Sequence, residues 1–421
     1  MKQYPFLNGK AGKCVFGLFL FAMLMLARDT LVTSSLLGFE KSQFLMLGLV
    51  CLLGLGFLIR NWRNLKQILL DGRMGLVLFT AVLILLPMLV KRDWQMMYFS
   101  ILLCPVIAVF FSYFTTFRDV ARSYVVILTF LSAYSVFASY VLKFMGVHGV
   151  ISPPVFYNPS GWDFYNFGLC YAVTWYNWFR NFGIFREPGV YQFFIILAMY
   201  LNNYTVEWRK NWQTWLVNGI LFVTMLTTLA IGGYIEMFLF IIFLYFDKKW
   251  HKNKLGKRIG LAAVVIGTAI VVHIAMKLQE PGVAGTYYVV FYDMVERLTT
   301  GSDSLVDRLD AIFTNMHFVF RNPILGNAIE EVLHGTNHNT SSTLILYAIL
   351  GVAGGTWNVA SWFAMGWDRK RNIIGNLILM LIFFMSFNTQ NLTADVFFWL
   401  LPFMALTERV VPKMKLPGKK E

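Results

Sequence analysis

The chain has 421 residues, of which 57% are hydrophobic and only 14% charged, with a mean hydropathy of +0.60. A soluble domain carries about 25% charged residues, so this composition excludes an ordinary soluble enzyme or binding module and predicts a polytopic membrane protein. The net charge of +14 is read as Lys and Arg collected in short cytoplasmic loops; nucleic acid is excluded as a partner.

A membrane-crossing helix needs about 20 mostly apolar residues, about 17 at the short end. Twelve such segments are predicted, with approximate cores at 14–27, 44–59, 74–90, 97–114, 124–145, 190–204, 214–230, 232–246, 259–276, 341–363, 373–387 and 394–407. The first follows Lys2, Lys10 and Lys13 and looks like a signal peptide. It shows no small-residue cleavage site and is expected to stay as an uncleaved first helix. With the N-terminus in the cytoplasm, 25 of the 36 Lys and Arg fall in inner segments, among them "RNWRNLK", "DKKWHKNKLGKR" and "DRKR". This asymmetry predicts an N-in, C-in topology. The expected fold is an all-α polytopic membrane protein of about 12 transmembrane helices. It forms a single integral membrane domain over 1–421, with two long outer loops containing short helices. No internal repeat marks two transporter halves.

The two long outer loops run over 146–189 and 277–340, beyond the length of ordinary connections. The first is rich in aromatic residues ("FYNPSGWDFYNF", "CYAVTWYNWF"), which suit the membrane interface. The second contains "SDSLVDRLDAIFTNMHFVF", where Leu305, Leu309, Ile312, Phe313, Met316 and Phe320 recur at helical spacing. Ser302 or Asp303 can cap this helix, and Pro323 follows its end. Such a helix would lie along the outer membrane surface or cover a cavity. The four cysteines, Cys14, Cys51, Cys104 and Cys170, form no CxxC pair and read as small buried hydrophobes.

The candidate chemistry lies in the outer segments. Positive charge is depleted on that side, yet Arg180, Arg186, Arg297, Arg308 and Arg321 all fall in the long loops. Arg suits phosphate and carboxylate because its planar fork matches their oxygens. Arg186 stands beside Glu187, and Pro188 fits the first turn of the sixth apolar segment. A guanidinium at a helix N-terminus is an anion site. Glu187 serves either as acid or base or as the partner that orients Arg186. In "EEVLHGTNHNTSSTLILYAILG", His338 is a candidate general base, flanked by Asn337 and Asn339, with His334 a weaker candidate. His273, inside an apolar segment, reads as packing. Glu236 is a carboxylate about one turn inside the eighth span, a candidate for binding an acceptor hydroxyl. No DxD, HExxH, CxxC, Walker or Rossmann pattern occurs. The reading therefore assigns no metal and no cofactor.

"GIFREPGVYQFF" resembles the signature that opens a central membrane helix in the bacterial O-antigen and capsule polysaccharide polymerase and O-antigen ligase family. "TTLAIGGYI", "DRLDAIFTNMHFVFRNPILGNA" and "HGTNHNTSSTLILYAILGVAGG" resemble that family's later segments, in the same order. Two departures stand out: Ala230 replaces a usual Ser, and the family motif does not require Arg321. The resemblance covers about residues 180 to 360. It implies metal-independent glycosyl transfer on the outer face of the bacterial inner membrane, from glycans carried on undecaprenyl diphosphate. It implies that Arg186 and Arg308 hold the diphosphate and that His338 activates the acceptor hydroxyl. Arg180 and Arg321 are further diphosphate candidates from their outer placement. The implied partners are undecaprenyl-diphosphate-linked oligosaccharides and membrane lipid, with a chain-length regulator as a candidate protein partner. Between the family's two activities the expectation is a polymerase. The alternative is a ligase that moves the finished chain onto lipid A core. A lipid-linked oligosaccharide flippase is the weaker rival, since it predicts repeat symmetry and charges in the bundle middle.

Overall fold

In a computed structural model, residues 10–27, 30–33, 37–61, 70–157, 163–175, 180–249, 303–335, 339–388 and 390–411 are described. The helices in chain order are α1 (Lys10–Met25), α2 (Phe39–Asn61), α3 (Gly72–Lys91), α4 (Met96–Phe114), α5 (Phe117–Val147), α6 (Pro188–Tyr204), α7 (Asn211–Thr228), α8 (Ile231–Asp247), α9 (Asp303–Arg321), α10 (Ile329–His334), α11 (Ser342–Gly366), α12 (Ile373–Asn388) and α13 (Val396–Val410). Each predicted apolar segment that falls on described residues is helical. The segment at 259–276 lies outside them, as do His273 and Arg297. Among the described residues, α3, α4, α5 and α11 are long and apolar enough to cross a membrane, and 14–25 and α12 are shorter apolar helices.

The core is built around α6. Every residue from Pro188 to Asn202 is buried except Gly189, as expected of a helix that is apolar all round. At 17 residues it is about 26 Å long. α13 is buried in the same way and wedges between α4 and α11. Trp362 of α11 is the aromatic hub, with Phe383, Phe387 and Phe398 rings 4.9 to 5.7 Å away. The outer surface is apolar instead of charged: Leu78, Phe79, Val82, Leu86 and Leu89 of α3 are all exposed. A contiguous apolar exterior of this kind is a lipid-facing surface. Cys104 and Cys170 are buried, whereas Cys14 and Cys51 are exposed on their helices. The expectation of four buried thiols is corrected on this point, because lipid accepts a thiol as readily as a core does.

The two ends of α6 meet different chemistry. At its C-terminal end Tyr204 donates to Asp247 at 2.6 Å, and Arg371 donates to the same carboxylate at 2.9 Å. Arg371 also lies over the Tyr204 and Phe243 rings and donates to Gly366 O and Asn376. Lys248 stacks on Tyr204 from outside, its pKa lowered first by burial. This clasp ties α6, α8 and the α11–α12 connection together. The N-terminal end of α6 carries the candidate site.

The first long loop corrects the sequence reading. Its described residues hold, instead of short helices, a three-stranded antiparallel sheet, β1 (Val155–Tyr157), β2 (Asp163–Asn166) and β3 (Tyr171–Val173). The aromatic run forms strands because Phe, Tyr and Val pack well across a pleated ladder. Phe156 stacks on Phe164 and meets Tyr171 edge-on. The pairing is close-packed: burial pushes the Tyr171 hydroxyl and the Cys170 thiol each up to about 12.

The second long loop contributes α9, over the predicted residues. Its face with Leu309, Phe313, Met316 and Phe320 is exposed, while Ala311, Asn315 and Phe318 are buried. The apolar side thus points away from the protein, as a helix does when it lies at a membrane surface. After it, the turn 322–327 docks against a break in α11 at Gly351, where φ is 73° and ψ −178°. Val352 N donates to Pro323 O and Asn327 N to Ala348 O, each at 2.7 Å. Lys91 at the end of α3 donates to Asn327 O at 2.6 Å and Ile349 O at 2.8 Å. The carbonyls released by the broken helix are therefore satisfied by protein, the condition for irregular backbone at membrane depth.

Candidate functional site

The stretch 185–190 forms a corner held from beneath. Leu31 N donates to Ile184 O at 2.9 Å, and Thr30 pairs with Phe185 as an isolated antiparallel bridge. Asn181 donates to Ser135 Oγ at 2.9 Å and Thr227 Oγ1 at 3.0 Å, and its amide oxygen accepts from Gly183 N at 2.9 Å. Tyr191 OH sits between Ser132 and Ser135 at 3.0 and 3.1 Å. A satisfied polar network of this kind rigidifies what it supports. Here it fixes the angle at which α6 begins.

Glu187 is the N-cap residue of α6, and Pro188 is the first helical residue. The Glu187 carbonyl accepts from Val190 N and Tyr191 N, while its carboxylate does not cap the helix. That carboxylate lies 3.5 Å from the Arg186 guanidinium, with both side chains about two-fifths exposed. The pair stands at the positive end of the helix dipole, open enough to meet a ligand.

Two other segments reach this mouth. A methyl on Gly189 would collide with the side-chain amide of Gln390. Gln390 in turn accepts a hydrogen bond on its carbonyl from Ser342 Oγ, and Ser342 Oγ accepts from Leu392 N at 2.7 Å. Asn388 accepts from Thr343 N at 3.1 Å. The start of α6 and the start of α11, about 150 residues apart in the chain, therefore share one loop, 388–395. Within the entry turn of α11, Ser342 is fully engaged, but the buried hydroxyls of Thr340, Ser341 and Thr343 have no hydrogen-bond partner. An orphaned buried hydroxyl costs about 1–3 kcal/mol.

The second constellation continues outward from α11. Asn339 exchanges hydrogen bonds with Asn315 of α9, at 2.7 and 3.2 Å, and donates to Val332 O at 2.8 Å. Asn315 is fully buried. Asn339 thus fastens the segment before α11 to the middle of α9. Arg308 lies two turns ahead of Asn315 in α9; its side chain is outside the described residues. His338 is also outside them. His334 ends α10 and is exposed.

Arg180 donates to Thr228 O and Leu229 O at 3.3 Å. It therefore covers the last carbonyls of α7, a use of Arg that the helix dipole favours. Arg321 forms an exposed ion pair with Glu331 across the α9–α10 turn. Glu236 is fully buried in α8, one turn beyond Gly233. Gly233 is packed against the Gln192 amide, so α8 meets α6 closely there.

Residue-by-residue reading missed the loop "NTQNLTAD" (388–395). Its signal was present: a run dense in amides and hydroxyls between two apolar segments. Asp395 within it caps α13 through Phe397 N and Phe398 N. No family model, no curated protein and no solved structure matches the chain.

Proposed function

We propose that the protein is a membrane glycosyltransferase that polymerises oligosaccharide repeat units carried on undecaprenyl diphosphate, at the outer face of the bacterial inner membrane. The observation that supports this reading is the shared mouth. The segments that resemble the O-antigen polymerase and ligase family at 185–190 and at 339–343 meet through Gln390, although nothing in their spacing requires it.

In this reading the acceptor hydroxyl oxygen attacks the anomeric carbon of the donor sugar. The bond from that carbon to the phosphate oxygen breaks, and undecaprenyl diphosphate leaves with the electron pair. The acceptor proton passes to His338. Negative charge grows on the departing diphosphate, so a guanidinium and a helix N-terminus fixed beforehand stabilise the transition state more than the ground state. Glu187 holds Arg186 in place. Arg308 supplies a second cation. A histidine suits the base role because its ordinary pKa lies close to neutrality.

The test is surface polysaccharide length on a gel, in a strain lacking the gene and complemented with Arg186→Ala at matched protein level. Loss of long chains, with single repeat units still reaching the surface acceptor, is the expected result. Polymer retained on undecaprenyl diphosphate would instead establish a ligase. Single units held in the inner leaflet would establish a flippase, and normal chains would remove Arg186 from the site.

A further inference from the structure

Ser341 occupies the N-cap position of α11, yet its side chain does not cap the helix. A serine there ordinarily accepts from a first-turn N–H. Its hydroxyl is instead buried without a partner, as are those of Thr340 and Thr343, and Ser341 and Thr343 are 0% and 2% exposed. The neighbouring Ser342 shows the contrast, because its hydroxyl is used twice to pin the 388–395 loop. Buried hydroxyls are nearly always paired in folded proteins, and three orphans in four consecutive residues need an explanation.

Position supplies one. These hydroxyls belong to the residues that open a long helix, where N–H groups and the dipole favour an anion. Through Gln390 that N-terminus adjoins the start of α6, a second helix N-terminus, with Arg186 at its entrance. Two positive helix ends meeting at one loop match a ligand with two linked anionic groups. Three hydroxyl donors match oxygen acceptors that carry charge.

We propose that Thr340, Ser341 and Thr343 form a second phosphate-binding cradle, which takes phosphate oxygens of the diphosphate while Arg186 and the start of α6 hold its other half. The proposal rests on the polyprenyl-diphosphate reading above and adds to it the residues of a second subsite. A bond from these hydroxyls to a phosphate oxygen is charge-assisted.

The experiment uses the full chain in lipid nanodiscs. Thermal melting is followed against inorganic pyrophosphate and, separately, against undecaprenyl diphosphate. The variants are Ser341→Ala combined with Thr343→Val, and Thr343→Ser as the conservative control. The double variant is expected to melt no lower than wild type without ligand, because it removes orphaned hydroxyls, yet to bind about 10-fold more weakly. Thr343→Ser is expected to bind like wild type. A response to the lipid-linked probe alone assigns the phosphate to a lipid headgroup; a response to both assigns recognition to the phosphate itself. Wild-type affinity in the double variant overturns the cradle alone. A lower ligand-free melt in that variant assigns the hydroxyls a structural role and overturns it as well. If wild type responds to neither probe, the cradle and the polyprenyl-diphosphate reading fall together.

Discussion

Gly189 lies against the Gln390 side-chain amide, which must move aside if the glycine gains a methyl. Gly189 is the second residue of the central helix, and Gln390 sits in the loop that also grips Ser342 at the start of α11. The contact is thus the hinge point between the two halves of the candidate site. Gly189→Ala is expected to push the Gln390 amide aside at a cost of about 1–3 kcal/mol, the range for overpacking. The obstructing atoms end a flexible side chain, so the chain should still fold and insert. Under the polymerase activity proposed above, polymer length on a gel is expected to shorten. Gln390→Ala added to Gly189→Ala should restore part of it, and simple additivity of the two changes would disprove the contact.

The two arginines at 180 and 186 are expected to behave differently. Arg186 is in a half-exposed ion pair, and such pairs contribute about 0–1 kcal/mol, so Arg186→Ala should leave the melting temperature nearly unchanged while long chains are lost. Arg180 holds the carbonyls at the end of α7. Arg180→Ala should lower protein level and melting temperature together. Melting curves in detergent beside the polysaccharide gel separate the two; equal melting for both variants would contradict the capping role.

Gly326 and Gly351 interlock. Both have positive φ, 69° and 73°. A side chain on Gly326 would strike Ile349 O, and one on Gly351 would strike Ile324 O. The obstacles are backbone, which has little freedom to yield. Alanine at either position is expected to cost about 3 kcal/mol or more, combining steric overlap with backbone strain. Because both changes open the same docking, the double variant should lose much less than the sum. Thermal unfolding of the three variants measures this directly.

Cys170 is expected to be inert in the folded protein. Burial pushes its thiol up to about 12, against a smaller opposing effect of the Ser139 hydrogen bond. It therefore remains a neutral thiol from pH 7 to 9, and the thiolate that reacts with maleimide is scarcely present. In a chain carrying Cys14→Ala, Cys51→Ala and Cys104→Ala, labelling should occur only after denaturation. Rapid labelling of the folded chain at pH 8 would contradict the packing of β3 against α5.

At the opposite end of α6, Arg371→Met leaves Asp247 with Tyr204 and the exposed Lys248 but without its buried, hydrogen-bonded cation. The Arg371 and Asp247 side chains are 6% and 17% exposed. Removing one partner of such a pair costs about 3–5 kcal/mol. Asp247→Asn in the same chain should recover part of the loss, since the uncompensated charge is then gone. Melting temperatures of the single and double variants decide the matter.

The sequence by itself determined the class of the molecule and where its helices lie. Apolar runs near 20 residues long have few alternatives to helix, because backbone groups in an apolar surrounding must bond within their own segment. It also placed the start of α6, since a proline at the first helical position is a local signal that needs no distant partner. The first long loop was misread because aromatic residues suit a membrane interface and a β-ladder equally well, and only the pairing of Phe156, Phe164 and Tyr171 selects the ladder. The tertiary structure alone decided which polar residues act together. Arg180 and Arg186 are six positions apart and look alike in the chain, yet one faces the carbonyls of α7 and the other faces Glu187. Gln390 carried no signature of its own. Its role comes from the starts of α6 and α11 converging on it, Gly189 against its side chain and Ser342 donating to its carbonyl, a relationship with no counterpart in local residue order.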